Sequence, residues 1–311
     1  MRIAVPDLIS PSYFPALAAV ELGFFQREGL DMTHDLRAPA DRTYADLRDG
    51  KVEFVAAEAH AALAAFPNWR GVKLLCALSQ GMYWFLVMRA DLGAARGDLS
   101  VVRGRRIGAA PWVEMGLRRM LLQAGIDPIR DAVDIAPIPG TLGLKVNIGV
   151  TAAEALADGR IDGFWANGMG AEIAVRRGVG SVVIDARRGD GPPPCFHYTA
   201  ATLATTDRLI VEHPEAAAGA IRAIVATQSA LRRDPSLATH VGRKLFPLAE
   251  AALIAELIAR DLPYYDPTLA HAFISGMSRF ARDLGILDAD LPYEAVVATQ
   301  FSELWREQDR A

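Results

Sequence analysis

The sequence alternates short strand-like runs with helix-like runs from its first residues onward. RIAV is followed by the helix-like FPALAAVEL, the strand-like DMTHDLRA, the helix-like RTYADLRD and the strand-like VEFVAA. This alternation is typical of βα units that feed a mostly parallel sheet, so it predicts an α/β fold. Gly23 and Gly50 come directly after the two helix-like runs, where glycine adopts the left-handed conformation at little steric cost.

Two pairs of similar segments suggest that the chain is built twice. LRDGKVEFVAA (residues 47–57) resembles LADGRIDGFWA (residues 156–166), and VELGFFQREGLDM (residues 20–32) resembles LLQAGIDPIRDAVDI (residues 121–135). With 311 residues the chain is also long for one core. The repeats predict two lobes of like construction, although chance repetition of helix–glycine–strand patterns remains an alternative.

The final third has a different, almost wholly helical pattern. Asp207 and Pro214 are start signals, Pro235 is a stop signal, and the residues between them are apolar at three- and four-residue spacing. Before it, RRGDGPPP (residues 187–194) predicts a surface turn without helix or strand. FHYTAATLAT then predicts a strand that returns the chain from the second lobe to the first.

Composition excludes several classes of partner. The net charge of −4, with no basic block longer than RGRR, does not favour nucleic acid. No window is apolar enough for a membrane span. Cys76 and Cys195 match no metal-ligand or redox spacing, and one disulfide stays open. Because no apolar leader precedes the first strand, we expect a cytoplasmic chain unless a leader was removed, in which case it is periplasmic.

Segments spread over nearly the whole chain resemble the solute-binding proteins of bacterial ABC transporters for nitrate, sulfonates, taurine and thiamine-pyrimidine precursors. This NMT1/THI5-like and SsuA-like resemblance is carried by SPSYFPALAAVELGFFQREGLDM, LRDGKVEFVAA, DLSVVRGRRIGAAP, LLQAGIDP, ALADGRIDGFWA, EHPEAAAGAIRAIVAT, RRDPSLA and FARDLGILDADLPYEAVV. The resemblance implies a type II periplasmic-binding-protein fold, in which two α/β lobes joined by two crossing strands trap a ligand in a cleft.

Under this resemblance, lobe 1 comprises residues 1–88 and 203–311 and lobe 2 comprises residues 89–202, with YWFLVMRA and FHYTAATLAT as crossing strands. The implied protein is a monomer that closes on a small molecule by hinge motion and delivers it to an ABC permease. It requires no metal and no organic cofactor.

The resemblance directs attention to loops at the carboxyl ends of strands, where such folds contact ligand. In lobe 1, Ser10 or Ser12 either caps the next helix or binds ligand, and Tyr13 or Phe14 faces the cleft. Arg37 lies in the next such loop beside Asp41 and binds an acidic group unless the two form a surface pair. Glu58 and His60 begin an apolar helix, where Glu58 either caps it or contacts ligand.

In lobe 2, Trp112 and Glu114 occupy one turn and Trp165 and Asn167 the next, and either tryptophan alternatively seals the lobe. His197 and Tyr198 are expected on the returning strand near the cleft floor. The aromatic residues together predict an aromatic or heteroaromatic ligand, and whether the ligand is also acidic stays open. The aromatic set is Tyr13, Phe14, Trp112, Trp165 and Tyr198, with Arg37, Glu58, Glu114 or Asn167 fixing the polar edge.

An enzyme on the same fold is the alternative function: a lyase or decarboxylase acting on a ring acid, or a relative of the fungal thiamine-pyrimidine synthase. That synthase carries a lysine for pyridoxal phosphate after its third strand and a cysteine-rich iron motif. Here EFVAAEAHAALAA has no lysine, and PPPCFHYT has one cysteine. Glu58, His60, Glu114 and His197 are the residues that could supply an acid/base pair. Lys145 and Asn147, in the long segment 138–156, either reach the cleft or face solvent.

Overall fold

The computed structural model describes residues 1–141 and 147–306, and the chain forms two compact units. Unit 1 is Met1–Gln80 with Thr199–Ala311, and unit 2 is Gly81–Tyr198. The chain therefore passes between the units after Gln80 and after Tyr198, whereas the sequence suggested passages after Met88 and Thr202.

The strands of the described residues are numbered in chain order. They are β1 (Arg2–Val5), β2 (Thr33–Leu36), β3 (Phe54–Glu58), β4 (Val72–Ser79), β5 (Phe85–Arg89), β6 (Arg106–Ala109), β7 (Asp134–Ala136), β8 (Gly163–Ala166), β9 (Gly180–Asp185) and β10 (Ala201–Thr206).

The α-helices of the described residues follow the same numbering. They are α1 (Phe14–Glu21), α2 (Phe24–Arg27), α3 (Ala40–Arg48), α4 (Val113–Gln123), α5 (Ile148–Ala157), α6 (Gly168–Arg176), α7 (Asp207–Glu212), α8 (Pro214–Arg233), α9 (Leu237–Leu245), α10 (Leu248–Asp261), α11 (His271–Asp283) and α12 (Tyr293–Val296). Short 3₁₀ helices complete the connections, among them Ala59–Ala64, Ala186–Arg188 and Pro193–His197.

Each unit contains one five-stranded mixed sheet, and the two sheets have the same topology. The strand order is β2-β1-β3-β10-β4 in unit 1 and β7-β6-β8-β5-β9 in unit 2. In each sheet the first three strands are parallel, and the fourth pairs antiparallel with both of its neighbours. The predicted α/β class and the two like lobes are confirmed, because the repeated segments occupy equivalent positions: α3–β3 in unit 1 and α5–β8 in unit 2.

Several boundary signals read from the sequence are confirmed. Gly23 and Gly50 have φ of 75° and 70° directly after the first two predicted helices. Helix α7 begins at Asp207, and α8 begins at Pro214 and ends two residues before Pro235. Inside unit 1, α8 is anchored to the sheet because the buried Gln228 amide donates to the carbonyl oxygens of β4 residues Ala77 and Leu78, at 3.1 and 2.9 Å.

The prediction for residues 187–194 needs correction. The turn contains no strand or α-helix, but 3₁₀ helices overlap both of its ends. It is also not wholly on the surface, because Arg187 is only 5% exposed.

Three further features bear on the sequence expectations. Among the described helices, none has both the length and the apolar character required to cross a lipid bilayer. Cys76 and Cys195 are free, buried thiols. Lys145 lies outside the described residues, and Asn147 immediately precedes α5 without capping it through its side chain.

Candidate functional site

The carboxyl ends of β1, β2 and β3 lie at one edge of the unit 1 sheet because these strands are parallel. Strand β10 is antiparallel to β3 and begins at the same edge, with Ala201 opposite Glu58. The β1–α1 loop (residues 6–13), the start of α3 and the residues after β3 therefore converge there. We call this the unit 1 edge.

Glu58 is the central group of the unit 1 edge. It is the last residue of β3, is 1% exposed, and its Oε2 accepts a hydrogen bond of 2.6 Å from the Tyr13 hydroxyl. Burial raises the pKa of Glu58 to about 7; the Tyr13 hydrogen bond opposes this shift, and the charges of Asp41 and Asp7 add to it. Near neutral pH the carboxyl group therefore exists in both protonation states.

Tyr44, on α3, adds a second hydroxyl to this edge. Its hydroxyl donates to the backbone carbonyl oxygen of Glu58 at 3.3 Å. Burial, and then the charge of Glu58, raise the pKa of Tyr44 well above its ordinary range, so this hydroxyl stays protonated. Neither Tyr44 nor Asp7 was among the site residues expected from sequence. Asp7 follows β1, and Tyr44 lies on α3, the helix after β2. These positions were the signal in the sequence that could have identified them as site residues.

Of the two alternatives for Ser10 and Ser12, capping of helix α1 or ligand contact, the structure contradicts capping. Tyr13 is the residue before the helix, and no side chain caps it. Ser10 and Ser12 are both buried in the β1–α1 loop, and the Ser10 hydroxyl has no hydrogen-bond partner among the described residues. Phe14 is fully buried, with its ring edge-to-face to Phe246 at 6.2 Å.

Of the two alternatives for Glu58, capping or ligand contact, the structure contradicts capping. The segment after β3 is a six-residue 3₁₀ helix, Ala59–Ala64, and the Glu58 side chain does not cap it. His60 is fully buried within this 3₁₀ helix and contacts Phe280 edge-to-face at 5.4 Å. The carboxyl group of Glu58 thus reaches the β1–α1 loop instead of its own helix.

Arg37 is engaged by carboxylates of its own unit. Its Nε lies 3.0 Å from Asp46 Oδ2 and its Nη2 lies 3.1 Å from Asp35 Oδ2. Arg37 therefore forms ion pairs, as in the surface-pair alternative. Its partners are Asp35 and Asp46, however, and not Asp41.

Unit 2 has an equivalent edge, where β6, β7, β8 and β9 end and β5 begins. Trp112 precedes α4 there with φ of 70°, and a positive φ is uncommon for a bulky residue; Glu114 follows in the first helical turn. We call this region the unit 2 edge.

Trp165 and Asn167 have structural roles at the unit 2 edge. Trp165 lies within β8 and not in a loop; it is fully buried and donates from Nε1 to the Val113 carbonyl oxygen at 3.2 Å. This contact joins β8 to the turn that carries Trp112 and Glu114. The Asn167 Oδ1 accepts from the backbone N–H groups of Met169 and Gly170 at 3.0 and 3.1 Å, which caps α6.

His197 and Tyr198 are not on the returning strand, and that prediction is wrong. His197 ends the 3₁₀ helix Pro193–His197, and β10 begins only at Ala201. Partial burial lowers the pKa of His197, and its buried Nδ1 has no hydrogen-bond partner among the described residues. The Tyr198 hydroxyl is hydrogen-bonded to the Gln123 side chain.

Arg187 and two aromatic residues of the unit 2 edge were missed by the sequence reasoning. The Arg187 guanidinium lies over the Tyr83 ring at 5.6 Å from its centroid, although the residue is 5% exposed. Tyr83 lies 5.0 Å from Trp84, and Trp84 contacts Trp165 edge-to-face at 6.2 Å. Arg187 follows the end of β9 by two residues. This strand-end position was a signal for a site residue, but the proline-rich sequence after it predicted only a surface turn.

The described residues do not fit the cofactors of the fungal synthase. The 3₁₀ helix after β3 has no lysine, and no group of three potential metal ligands occurs among residues 1–141 and 147–306. Burial raises the pKa of the Cys195 thiol to about 11, so it is protonated at neutral pH.

Comparison with solved structures supports this description of the fold. A protein from Bordetella bronchiseptica RB50 has a TM-score of 0.77 at 17% identity, over 98% of this chain and 96% of that chain. The alkanesulfonate-binding protein SsuA from Xanthomonas axonopodis pv. citri, bound to MOPS, has a TM-score of 0.68 at 12% identity, over 97% and 96%. A mutant of DSZB, a desulfurization enzyme, in complex with biphenyl-2-sulfinic acid, has a TM-score of 0.64 at 15% identity, over 98% of both chains.

At these identities the structural likeness shows the fold alone, which is that of the two-lobed periplasmic-binding proteins. The comparison with curated proteins finds no match. A family model described as NMT1/THI5 like matches residues 10–238, well over half of the chain. The chain therefore belongs to the NMT1/THI5-like family.

Proposed function

We propose that this protein is a solute-binding protein that captures a small aromatic or heteroaromatic molecule carrying an acidic group. The observation that carries this proposal is the placement of Arg187 at the unit 2 edge. The residue is 5% exposed, its guanidinium lies over the Tyr83 ring, and a guanidinium matches the two oxygens of a carboxylate or sulfonate. Tyr83 and Trp84, both buried, place two aromatic rings beside it.

The unit 1 edge has polar groups of its own that are suited to holding a ligand. Tyr13 and Glu58 form a hydrogen-bonded pair at the strand end, and the Ser10 hydroxyl is buried beside them in sequence without a described partner. Such polar groups at strand ends orient a ligand in α/β folds.

Two structural neighbours support the acidic group of the proposed ligand. SsuA is bound to MOPS, a sulfonate whose ring is saturated, and the DSZB mutant is in complex with biphenyl-2-sulfinic acid. We extend the acidic group to the ligand of this chain. By the same reasoning we propose delivery to an ABC permease and a location outside the cytoplasmic membrane, which fractionation of cells expressing the natural gene tests.

The binding proposal is tested by a thermal-shift screen with benzoate, benzenesulfonate, nicotinate and 4-aminopyrimidine, followed by calorimetric titration. A ligand at a hundred times its Kd stabilises the folded protein by about 2.7 kcal/mol, which is a readily measured rise in Tm. Arg187→Gln should abolish the shift for the acids. Arg130→Gln is the matched control, because this arginine of unit 2 is 75% exposed. Absence of a shift with every probe rejects the proposed ligand class.

An enzyme acting on a ring acid is the second candidate, and the raised pKa of Glu58 favours it. A carboxyl group with a pKa near 7 suits general acid/base chemistry, and His60 is two residues away. Incubation with benzoate and with biphenyl-2-sulfinate, followed by mass spectrometry, distinguishes the two functions. An enzyme forms a product that Glu58→Gln prevents, whereas a binding protein returns each compound unchanged.

A further inference from the structure

The β1–α1 loop is held by a residue that is distant in sequence. Tyr265, 1% exposed, donates from its hydroxyl to the Pro11 carbonyl oxygen at 2.6 Å. The same carbonyl oxygen accepts from the backbone N–H of Phe14 at 3.4 Å, at the first residue of α1. Because no side chain caps α1, this contact fixes the entrance of the helix.

Tyr265 is itself fixed by the segment to which it belongs, residues 264–268. Arg232 of α8 donates to the Tyr265 carbonyl oxygen at 2.5 Å. The backbone N–H of Gln80 donates to Tyr264 at 2.8 Å, and its side-chain amide donates to the carbonyl oxygens of Asp266 and Thr268 at 2.9 and 2.6 Å. These hydrogen bonds hold residues 264–268 in place, and with them the Tyr265 hydroxyl that donates to Pro11.

The hydrogen bond from Tyr265 is connected to Glu58 through Pro11 and Tyr13 of the β1–α1 loop. Pro11 is two residues before Tyr13, and the Tyr13 backbone N–H donates to the Ser10 carbonyl oxygen at 3.2 Å across the same turn. The Tyr13 hydroxyl must meet Glu58 Oε2 at 2.6 Å, a distance that a small shift of the turn would lengthen.

We propose that Tyr265 is a positioning residue of the unit 1 edge, which holds the β1–α1 loop so that the Tyr13 hydroxyl meets the Glu58 carboxyl group. The inference rests on the proposed function for what the loop binds. The Tyr13–Glu58 pair lies within unit 1 itself, so the ligand-free protein serves for the test.

The experiment uses the ligand-free full chain and the variant Tyr265→Phe. Carboxyl ¹³C NMR follows the titration of Glu58, with Glu58→Gln assigning the signal, and hydrogen exchange follows the amides of residues 9–16. Tyr293→Phe is the matched control, because it removes another tyrosine hydroxyl that donates to a backbone carbonyl oxygen of unit 1, that of Leu269.

In Tyr265→Phe, exchange of residues 9–16 should rise roughly five- to tenfold, the equivalent of one lost hydrogen bond. The midpoint of Glu58 should move upward, as in Tyr13→Phe, because the Tyr13 hydrogen bond stabilises the ionised form. Tyr293→Phe should change neither. In a Tyr13→Phe background, Tyr265→Phe should not move the midpoint further.

The proposal is overturned if Tyr265→Phe leaves the Glu58 midpoint at its wild-type value, or if Tyr293→Phe moves it equally. Should Tyr265→Phe not fold, Arg232→Gln removes one support of the same segment, and the same two measurements apply with a smaller expected change. Since no ligand is present, failure of the ligand screen and failure of this inference are separate results.

Discussion

The two sheets share one strand order, yet the chain leaves the third parallel strand differently in each unit. After β8, Asn167 caps α6 with two hydrogen bonds, and α6 packs closely on α5. After β3, Glu58 does not cap the following 3₁₀ helix, and its buried carboxyl group turns to Tyr13 of another loop. After the third parallel strand, unit 2 therefore has an amide side chain that caps the next helix. At the same position unit 1 has a buried carboxyl group that titrates near neutral pH.

The opposite ends of the same strands show what the units retain in common. In unit 1, the Arg2 backbone N–H donates to the Glu53 carboxylate at 2.6 Å, and the Glu53 N–H donates back to Arg2 at 3.0 Å. In unit 2, Arg106 and Asp162 exchange the corresponding bonds, at 3.0 and 2.8 Å. Because these acids occupy matching positions in the two repeated segments, the repeat preserves a contact that supports the sheet, while the strand-end junctions differ.

The largest expected effect comes from breaking the close helix packing of the unit 2 junction. A Cβ atom added at Gly170 would lie 2.6 Å from the Gly149 carbonyl oxygen and 2.8 Å from its Cα. Gly170→Ala should therefore lower the free energy of unfolding by about 3 kcal/mol or more, measured by urea denaturation. Gly219→Ala, whose new Cβ would meet its neighbours at 3.4 Å or more, should be near neutral.

The second effect concerns the pH dependence conferred by Glu58. Its pKa rises from 4.5 when unfolded to about 7 when folded, so the folded chain binds more protons between these values. Stability is therefore greatest below pH 4.5 with respect to this group and falls as pH rises through 7, by on the order of 3 kcal/mol.

Glu58→Gln should remove this decline, as measured by urea denaturation at pH values from 5 to 8. Asn167→Asp provides the comparison at the unit 2 junction, where aspartate caps as well as asparagine and the change in stability should stay within about 0.5 kcal/mol. Equal pH dependence in wild type and Glu58→Gln would show that the carboxyl group titrates normally.

The third effect tests the contact that both units share. Bidentate hydrogen bonds from Arg106 lower the pKa of Asp162 from 3.8 to about 2, so its contribution to stability is present above pH 3.8 and is lost as pH falls through 2. Because Arg106 is half exposed, Asp162→Asn should cost about 1–2 kcal/mol at pH 7. Glu53→Gln in unit 1 should cost less, and a loss of equal size at pH 2 and pH 7 would contradict the charge-based account.

The smallest effect separates capping from ligand contact at Asn167. Asn167→Ala should cost about 1 kcal/mol of stability through loss of the cap and should leave the Kd for an acidic probe unchanged. A ligand contact by Asn167, as expected from sequence, would instead weaken binding as strongly as Arg187→Gln does. Calorimetric titration of the two variants distinguishes these outcomes.

Patterns set by the backbone were predictable from the sequence, whereas environments set by tertiary contacts were not. RIAV predicted β1, and Pro214 and Pro235 bounded α8, because proline and periodicity act locally. The alanine-rich run after β3 did not distinguish a 3₁₀ helix from an α-helix. The buried Arg187 lies over the ring of Tyr83, over 100 residues away, so the proline-rich turn by itself gave no sign of this contact.

The central claim is that the protein binds a ring with an acidic group through Arg187, and calorimetric titration with the best acid from the thermal-shift screen tests it most directly. We predict saturable binding to the wild type and to Arg130→Gln, and at least a tenfold weaker Kd for Arg187→Gln, because a charged hydrogen-bonded partner contributes about 1.5–3 kcal/mol. Equal affinities in all three proteins, or no binding to the wild type, would contradict the account.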